Sequence, residues 1–86
     1  MNKERPIIDV RTEAEFKEGN VEGSINIPLN EVPDRIEEFE AMDNPILCCL
    51  SGNRSGQAAE FLKAQGIECE NGGGWLEVNN SLSKNQ

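Results

Sequence analysis

The sequence predicts an α/β domain with a short, mostly parallel sheet that is flanked by helices on both faces. Short apolar runs alternate with helical patterns along the chain, and this order of elements is typical of parallel sheets. The run Ile46–Cys49 is apolar throughout, which is typical of a central strand covered on both faces. Thr12 and Glu15 have the spacing of a capping box, which indicates that a helix begins just after the first strand.

The N-terminal elements are predicted from local patterns. A β-branched run that follows a proline predicts a strand at Ile7–Val10. The capping box predicts a helix at Glu13–Glu18, which Gly19 ends. Alternating polar and apolar residues predict a short strand at Ser24–Ile27, which stops before a proline. Asn30–Met42 has a proline near its start and apolar residues on one face, so we expect an amphipathic helix there.

The middle of the chain is predicted to pass from the strand Ile46–Cys49 through a polar loop into a helix. We expect this helix to begin near Arg54 or Ser55. Apolar residues at helical spacing continue it through Gln57–Gln65. Gly66 lies just after this helix, where a residue in the left-handed backbone conformation, usually glycine, commonly ends a helix.

The C-terminal part is predicted to hold one more strand, at Ile67–Cys69. Asn71 and the glycines at 72–74 are expected to turn the chain after this strand. Trp75 is expected to serve in packing, or to form one wall of the site's mouth. The polar tail Asn79–Gln86 is expected to fray.

The composition sets limits on size and partners. An 86-residue chain with 36% hydrophobic residues has room for one core, so we predict a single domain over residues 1–86, with its core at about 6–78. A formal charge of -8 argues against nucleic acid and anionic membranes as partners. No apolar run is long enough for a membrane span or a signal peptide. A cytoplasmic monomer is therefore expected, or a periplasmic one if a leader has been removed.

The three cysteines, Cys48, Cys49 and Cys69, are expected to be reduced thiols, because they are odd in number and lack framework spacing. The chain has no histidine and no C-x-x-C motif, so neither a metal nor another cofactor is predicted. Cys48 alternates with Cys49 along the predicted strand and is expected to be a small buried hydrophobe on the opposite face. Cys69 is likewise expected in the core.

The polar loop after the predicted central strand is the candidate site. A cysteine reacts as its thiolate, which nearby positive charge and the donors of a helix N-terminus favour. Gly52 and Asn53 tolerate left-handed backbone angles, so residues 50–53 are predicted to curl over the Cys49 sulfur and form an anion-binding nest. Arg54 adds a permanent positive charge to the same bowl. Two serines are further candidates for hydrogen bonds to the sulfur, Ser51 and Ser55.

A plainer interpretation of the same loop stays open at this point. The loop is then a polar connection from strand to helix, with inert buried cysteines and Ser55 as the residue that caps the helix. A cysteine and an arginine at this spacing occur together often by chance. The preceding strand, the following helix and the glycine between them favour a reactive Cys49.

Four segments of the chain resemble one protein family. Residues 49–59, CLSGNRSGQAA, resemble the active-site loop and following helix of the rhodanese (thiosulfate sulfurtransferase) homology family, with its pattern C-x-x-G-x-R-S. Residues 8–16 are similar to the family's opening D-V-R-x-x-x-E-[FY], residues 22–28 to its G-A-I-N-I-P segment, and residues 73–75 to its closing G-G-W. The segments occur in the family's order and span about Ile7–Val78. The chain is therefore identified as a member, of the short single-domain type.

The resemblance implies sulfur transfer through a cysteine persulfide. The Cys49 thiolate would take a sulfane sulfur from thiosulfate or from a persulfide donor and pass it to a thiol, to cyanide or to a partner protein. By position, the amides of residues 50–55 form the cradle, and Arg54 closes the loop and binds the anion. Asp9 and Arg11 are expected either to support the loop or to form a purely structural ion pair.

Two positions depart from the family's pattern. Asn20 stands where members usually have a histidine of generally structural role. Leu50 stands where many active members have a cationic or polar residue, which leaves Arg54 as the single formal positive charge of the loop. On a protein of net charge -8, we expect thiosulfate, a dianion, to be steered and held weakly. A persulfide on a small thiol or on a partner protein is then the expected physiological donor.

Other activities of the same loop are weighed by its length and its thiols. The six residues from Cys49 to Arg54 match the sulfurtransferase branch, whereas the related phosphatases and arsenate reductases carry one residue more. Sulfur transfer is therefore favoured over phosphatase activity. A second candidate is a sulfur-carrier or partner-docking module with little turnover of its own. A third is a redox sensor, in which peroxide joins Cys49 to Cys48 or Cys69.

Overall fold

The computed structural model of the protein describes residues 5–84. Strands and helices alternate along this part of the chain, which confirms the predicted α/β class. In chain order the elements are β1 (Ile7–Asp9), α1 (Glu13–Glu18), β2 (Ile25–Asn26), a 3₁₀ helix (Leu29–Arg35), α2 (Ile36–Glu40), β3 (Ile46–Cys49), α3 (Asn53–Ala64), β4 (Glu70–Gly74) and α4 (Trp75–Lys84).

The four strands form one parallel sheet in the order β2-β1-β3-β4. Ile8 of β1 lies opposite Ile25 on one side and Leu47 on the other. The chain thus moves outward from β1 to β2 and then returns to the other side of β1 for β3. In sheets of this kind, ligands bind beyond the carboxyl ends of the strands where the order reverses. Here that point lies where β1 and β3 end.

The sheet is covered on both faces, as predicted. Cys49 packs in a buried cluster with α3 residues that include Ala58 and Leu62. Cys48 points to the opposite face, where it packs with Val21 and with Val78 of α4. Because neighbouring residues of a strand face opposite sides, the two adjacent cysteines belong to two different cores. This placement confirms the expectation that Cys48 is a buried packing residue.

Two helix signals of the sequence are confirmed at the level of single atoms. The backbone N–H of Glu15 donates to Thr12 Oγ1 at 3.2 Å, and the backbone N–H of Thr12 donates to Glu15 Oε1 at 3.0 Å, which completes the capping box. Gly66 follows α3 with a φ of 83°, in the left-handed region where glycine is favoured. The predicted bounds of α1 and β3 are those of the structure.

The predicted α-helix Asn30–Met42 is wrong in most of its length. Leu29–Arg35 is a 3₁₀ helix, and the α-helix α2 covers only Ile36–Glu40. Pro33 lacks a backbone N–H, and its ring would collide with the carbonyl four residues earlier in an α-helix. The amphipathic pattern is real, since the side chain of Phe39 is fully buried, but the proline restricts the α-helical part to the second half.

The last strand was predicted at Ile67–Cys69, which is wrong: the strand begins three residues later, at Glu70. Pairing with β3 begins at Glu70, which lies opposite Ile46. The glycines at 72–74 belong to this strand and do not form the predicted turn. A side chain at Gly72 would lie 2.7 Å from Cγ2 of Ile46, so a glycine is required for the two strands to approach.

The C-terminal segment is helical where the sequence predicted fraying. α4 begins at Trp75 and continues to Lys84. It is held by Val78, which is buried at 7% exposure, and by Trp75, which packs against the same cluster. Two apolar side chains one turn apart are sufficient to dock a largely polar segment. Residues 85 and 86 of the predicted tail lie outside the described residues.

Candidate active site

The candidate nucleophile lies at the carboxyl end of the sheet, where the strand order reverses. Cys49 is the last residue of β3, and Asp9 is the last residue of the neighbouring strand β1. Helix α3 begins at Asn53, only four residues after the cysteine. The first turn of α3 therefore places its free backbone N–H groups close to the Cys49 sulfur.

The loop from Cys49 to Ser55, called the cradle below, directs hydrogen-bond donors at this sulfur. The backbone N–H of Gly52 donates to Cys49 Sγ at 3.0 Å, and the backbone N–H of Ser55 does so at 3.4 Å. The hydroxyl of Ser55 lies 3.4 Å from the same sulfur. Gly52 has a φ of 102°, a conformation that glycine adopts at little cost and that bends the loop over the sulfur. The loop thus curls over the sulfur, as the sequence predicts, and two of its backbone amides donate to it.

The surroundings of Cys49 favour its thiolate. Burial by itself raises the pKa of this thiol, but hydrogen bonds from Ser55 and from the amides of Gly52 and Ser51 outweigh burial and lower the pKa below its ordinary value. The positive end of the α3 dipole acts in the same direction. In contrast, burial and the nearby carboxylate of Asp9 raise the pKa of Cys48 to about 12.

Of the three cysteines, Cys49 therefore has the environment of a nucleophile. Burial raises the pKa of Cys69, whose thiol lies 3.7 Å from the carbonyl oxygen of Ala59. All three cysteines are free thiols. Cys48 and Cys69 pack in the core, as the sequence predicted.

Asn71 supports the cradle, a role that was not predicted from the sequence. Its Oδ1 accepts hydrogen bonds from the Ser55 hydroxyl at 2.6 Å and from the backbone N–H of Gly73 at 3.0 Å. Its Nδ2 donates to the carbonyl of Gly52 at 3.1 Å. The side chain thus joins β4 to the middle and to the C-terminal end of the cradle. The only signal in the sequence was an asparagine before three glycines, which is equally typical of a turn.

The Ser55 hydroxyl has one hydrogen and two neighbouring acceptors. It lies 2.6 Å from Asn71 Oδ1 but 3.4 Å from Cys49 Sγ, so the shorter bond goes to Asn71. When Cys49 carries a full negative charge, the stronger acceptor is the sulfur. The two backbone amides hold the sulfur in either case.

Replacement of this hydroxyl is a direct test of the cradle's electrostatics. In Ser55→Ala, we expect the pKa of Cys49 to rise and its alkylation by iodoacetamide at neutral pH to slow by roughly tenfold, because one hydrogen bond to a charged group is lost. The measurement is the pH profile of the alkylation rate. Ser51→Ala is the matched control, since Ser51 acts on the sulfur through its backbone amide. Equal profiles for the two variants would show that the Ser55 hydroxyl does not lower the pKa of Cys49.

The sequence predicts that the Arg54 guanidinium points into the cradle. In the structure, both of its terminal nitrogens instead bond to Glu15. Its Nη1 donates to Glu15 Oε1 at 2.7 Å, and its Nη2 donates to Glu15 Oε2 at 3.1 Å. The hydrogen bond from Arg54, together with those from Thr12, lowers the pKa of the Glu15 carboxyl to about 2. This two-point ion pair connects the cradle to α1 across 39 positions of sequence.

Asp9 and Arg11 form a buried ion pair at the carboxyl end of β1. Arg11 Nη2 donates to Asp9 Oδ2 at 2.7 Å, and the two side chains are 5% and 0% exposed. The same nitrogen donates to the carbonyl of Gly19 at 2.6 Å, and the guanidinium carbon lies 4.9 Å from the ring centre of Trp75. These contacts join β1, the end of α1 and the start of α4. Of the two roles left open, they favour the structural ion pair.

The three exposed side chains of the cradle itself carry no charge. Leu50 is 60% exposed, and Ser51 and Asn53 are exposed as well. Gly74 lies against the cradle, because a side chain there would meet the Leu50 carbonyl oxygen at 2.8 Å. In the part of the chain described here, no three His, Cys, Asp or Glu residues are grouped to hold a metal ion.

Comparison with known proteins identifies the family to which this fold and site belong. The model of the rhodanese-like domain family matches residues 1–80. Thiosulfate sulfurtransferase PspE of Escherichia coli is 39% identical over 74 residues, which cover 83% of this chain and 71% of PspE. YrkF of Bacillus subtilis, provisionally named a sulfur carrier protein, is 39% identical over 62 residues, which cover 72% of this chain and 34% of YrkF.

The fold leads to the same family. The crystal structure of a rhodanese-like domain protein from Staphylococcus aureus has a TM-score of 0.81 and 31% identity, over 91% of this chain and 76% of that one. The protein belongs to the rhodanese-like domain family. Its named relatives support sulfur transfer as its general chemistry. None of the helices within residues 5–84 is both long and apolar enough to cross a membrane.

Proposed function

We propose that the protein is a sulfurtransferase that carries a sulfane sulfur as a persulfide on Cys49. The donor is thiosulfate or a persulfide, and the acceptor is a thiol or cyanide. The observation that carries the proposal is the Cys49 sulfur at the end of β3: two backbone amides donate to it, the Ser55 hydroxyl lies within hydrogen-bond distance, and its pKa is lowered. A buried thiol without such donors would keep its proton and react slowly.

The reaction has two displacement steps at sulfur. In the first, the Cys49 thiolate attacks the outer sulfur of thiosulfate, the S–S bond breaks, and sulfite leaves with the electron pair of that bond. Cys49 then carries one additional sulfur as an anionic persulfide. In the second step, cyanide or an acceptor thiolate attacks this terminal sulfur, and the Cys49 thiolate is the leaving group.

The cradle contributes to both steps through the same backbone donors. The amides of Gly52 and Ser55 stabilise negative charge on the sulfur of Cys49 when it attacks and again when it leaves. Because the donors are held by helix α3 and by Asn71, they need no rearrangement during the reaction. The three free cysteines fit a reducing compartment such as the cytoplasm, which is the proposed location.

The test is the intact mass of the reduced protein after incubation with thiosulfate and then with cyanide. We expect wild type and Cys48→Ala to gain one sulfur atom and to lose it to cyanide as thiocyanate. Cys49→Ala is expected to gain none. Sulfur on Cys49→Ala, or no sulfur on wild type from either thiosulfate or an organic persulfide, would contradict the proposal. Cys48→Ala is the matched control, because its thiol is adjacent in sequence but faces the opposite core.

A second candidate is a sulfur carrier that presents its persulfide to a partner protein and has little turnover of its own. The likeness to YrkF favours it, as does the exposed Leu50 beside the buried sulfur. The two candidates differ in rate. Slow formation of thiocyanate together with fast transfer of the loaded sulfur to a protein thiol would favour the carrier, whereas fast formation of thiocyanate would favour the enzyme.

A further inference from the structure

The ion pair between Arg54 and Glu15 controls the charge at the mouth of the cradle. Its two N–O contacts are 2.7 and 3.1 Å long, and the side chains of Arg54 and Glu15 are 32% and 33% exposed. Arg54 is the one cationic residue between positions 48 and 56. The carboxylate of Glu15 therefore neutralises the single positive charge that the sequence provides for binding an anionic donor.

The other groups around the mouth do not replace this charge. Leu50, at the position after the nucleophile, is exposed and apolar. Beside Gly74, which packs against the Leu50 carbonyl, the carboxylate of Glu77 accepts a hydrogen bond from the Gly74 backbone N–H at 3.4 Å. Two carboxylates thus stand near the mouth against one guanidinium, on a protein whose formal charge is -8. Such a site repels a second negative charge on an incoming donor.

We propose that Glu15, by neutralising Arg54, disfavours sulfur donors with two negative charges. The site then takes organic persulfides in preference to thiosulfate. This inference rests on the proposed function and names the donor of the same site. In the loading step, the Cys49 thiolate attacks the outer sulfur of a persulfide R–S–S–H. The S–S bond breaks, R–S⁻ leaves with the bonding electrons, and the proton stays on the transferred sulfur as Cys49–S–S–H. With an uncharged R group the donor brings at most one negative charge, whereas thiosulfate brings two.

Glu15→Gln tests the inference without removing the helix cap. Glutamine satisfies a capping box as glutamate does, so α1 keeps its first turn while Arg54 loses its counter-charge. Glu18→Gln is the matched control: it makes the same substitution at an exposed position of the same helix and changes the net charge equally.

The first readout compares two donors that differ by one charge. Thiosulfate is a dianion, and benzenethiosulfonate is a monoanion that transfers a sulfur from the same type of bond. We expect Glu15→Gln to lower the KM for thiosulfate about threefold to tenfold more than the KM for benzenethiosulfonate. The reason is that thiosulfate has one more negative charge to interact with the Arg54 guanidinium, which lacks its counter-charge in this variant. In Glu18→Gln we expect the ratio of the two KM values to stay at the wild-type value.

The second readout does not depend on sulfur transfer. The rates at which iodoacetate and iodoacetamide alkylate Cys49 report how the site treats a charged and a neutral reagent of similar size. We expect the ratio of iodoacetate to iodoacetamide rates to rise about threefold or more in Glu15→Gln and to stay constant in Glu18→Gln. Leu50→Arg is expected to change both readouts in the same direction, because it adds a cation at the mouth without altering α1.

The outcomes separate this inference from the proposed function. Equal changes for both donors, or the same changes in Glu18→Gln, would overturn the role of Glu15 while wild-type sulfur loading upholds the function. A constant alkylation ratio in both Glu15→Gln and Leu50→Arg would overturn it as well. If wild type accepts sulfur from none of the donors, the proposed function fails and the donor preference fails with it.

Discussion

Cys49→Ser is expected to reduce the formation of thiocyanate from thiosulfate and cyanide to the rate measured without protein. The serine oxygen has nearly the size of the thiol, but it does not ionise near neutral pH and cannot accept a sulfane sulfur by this route. For a nucleophile that carries the intermediate, removal costs a factor of about a thousand or more in turnover. The measurement is steady-state thiocyanate production at saturating donor.

Two comparisons make this result specific. Cys48→Ala and Cys69→Ala are expected to retain turnover within a small factor of wild type, because their thiols are buried and carry raised pKa values. The circular dichroism spectrum of Cys49→Ser should match that of wild type, since a small polar side chain replaces another at the end of β3. Retained turnover in Cys49→Ser would show that the sulfur is carried elsewhere.

Asp9→Asn is expected to lower the free energy of unfolding by about 3 to 5 kcal/mol, the usual cost of removing one partner of a buried ion pair. Asp9 is fully buried and accepts from the backbone and the side chain of Arg11. The substitution leaves the Arg11 guanidinium buried without its counter-charge. Domains of this size are stable by only about 5 to 15 kcal/mol, so the loss is a large fraction of the total.

Urea denaturation of Asp9→Asn and of Glu38→Gln together measures this effect. Glu38 forms an ion pair with Arg35 at 2.8 Å, but its side chain is 51% exposed. The same change from carboxylate to amide should therefore have little effect there, because water and salt screen the pair. Similar midpoints for the two variants would contradict a stabilising role of the buried pair at the end of β1.

The cradle could be predicted because its signal is local. Cys49, Gly52 and Ser55 lie within seven residues, between a strand and a helix that the sequence also indicates. The bend at Gly52 and the amides of the first turn of α3 then place the donors at the sulfur. The roles of these residues in catalysis stay predictions until the variants are measured.

The partners of the cradle could not be predicted because they come from distant parts of the chain. Glu15 is already explained in the sequence by its capping box, so nothing in the local pattern indicates its second bond, to Arg54. Asn71 has the composition of a turn, and only the pairing of β4 with β3 places its amide at Ser55. In both cases one side chain serves two contacts, of which the sequence shows at most one.

Four features follow from the amino-acid pattern alone: the α/β class, the capped helix α1, the central strand β3 and the cysteine that ends it. These features depend on short-range patterns: the capping spacing, an uninterrupted apolar run and a glycine in a polar loop. Two features could be recognised only in the folded chain: the three glycines at 72–74 form part of a strand, and Arg54 is paired with Glu15. Both depend on the distance between segments remote in sequence, since close packing against β3 requires glycine and an ion pair requires its partner within about 4 Å.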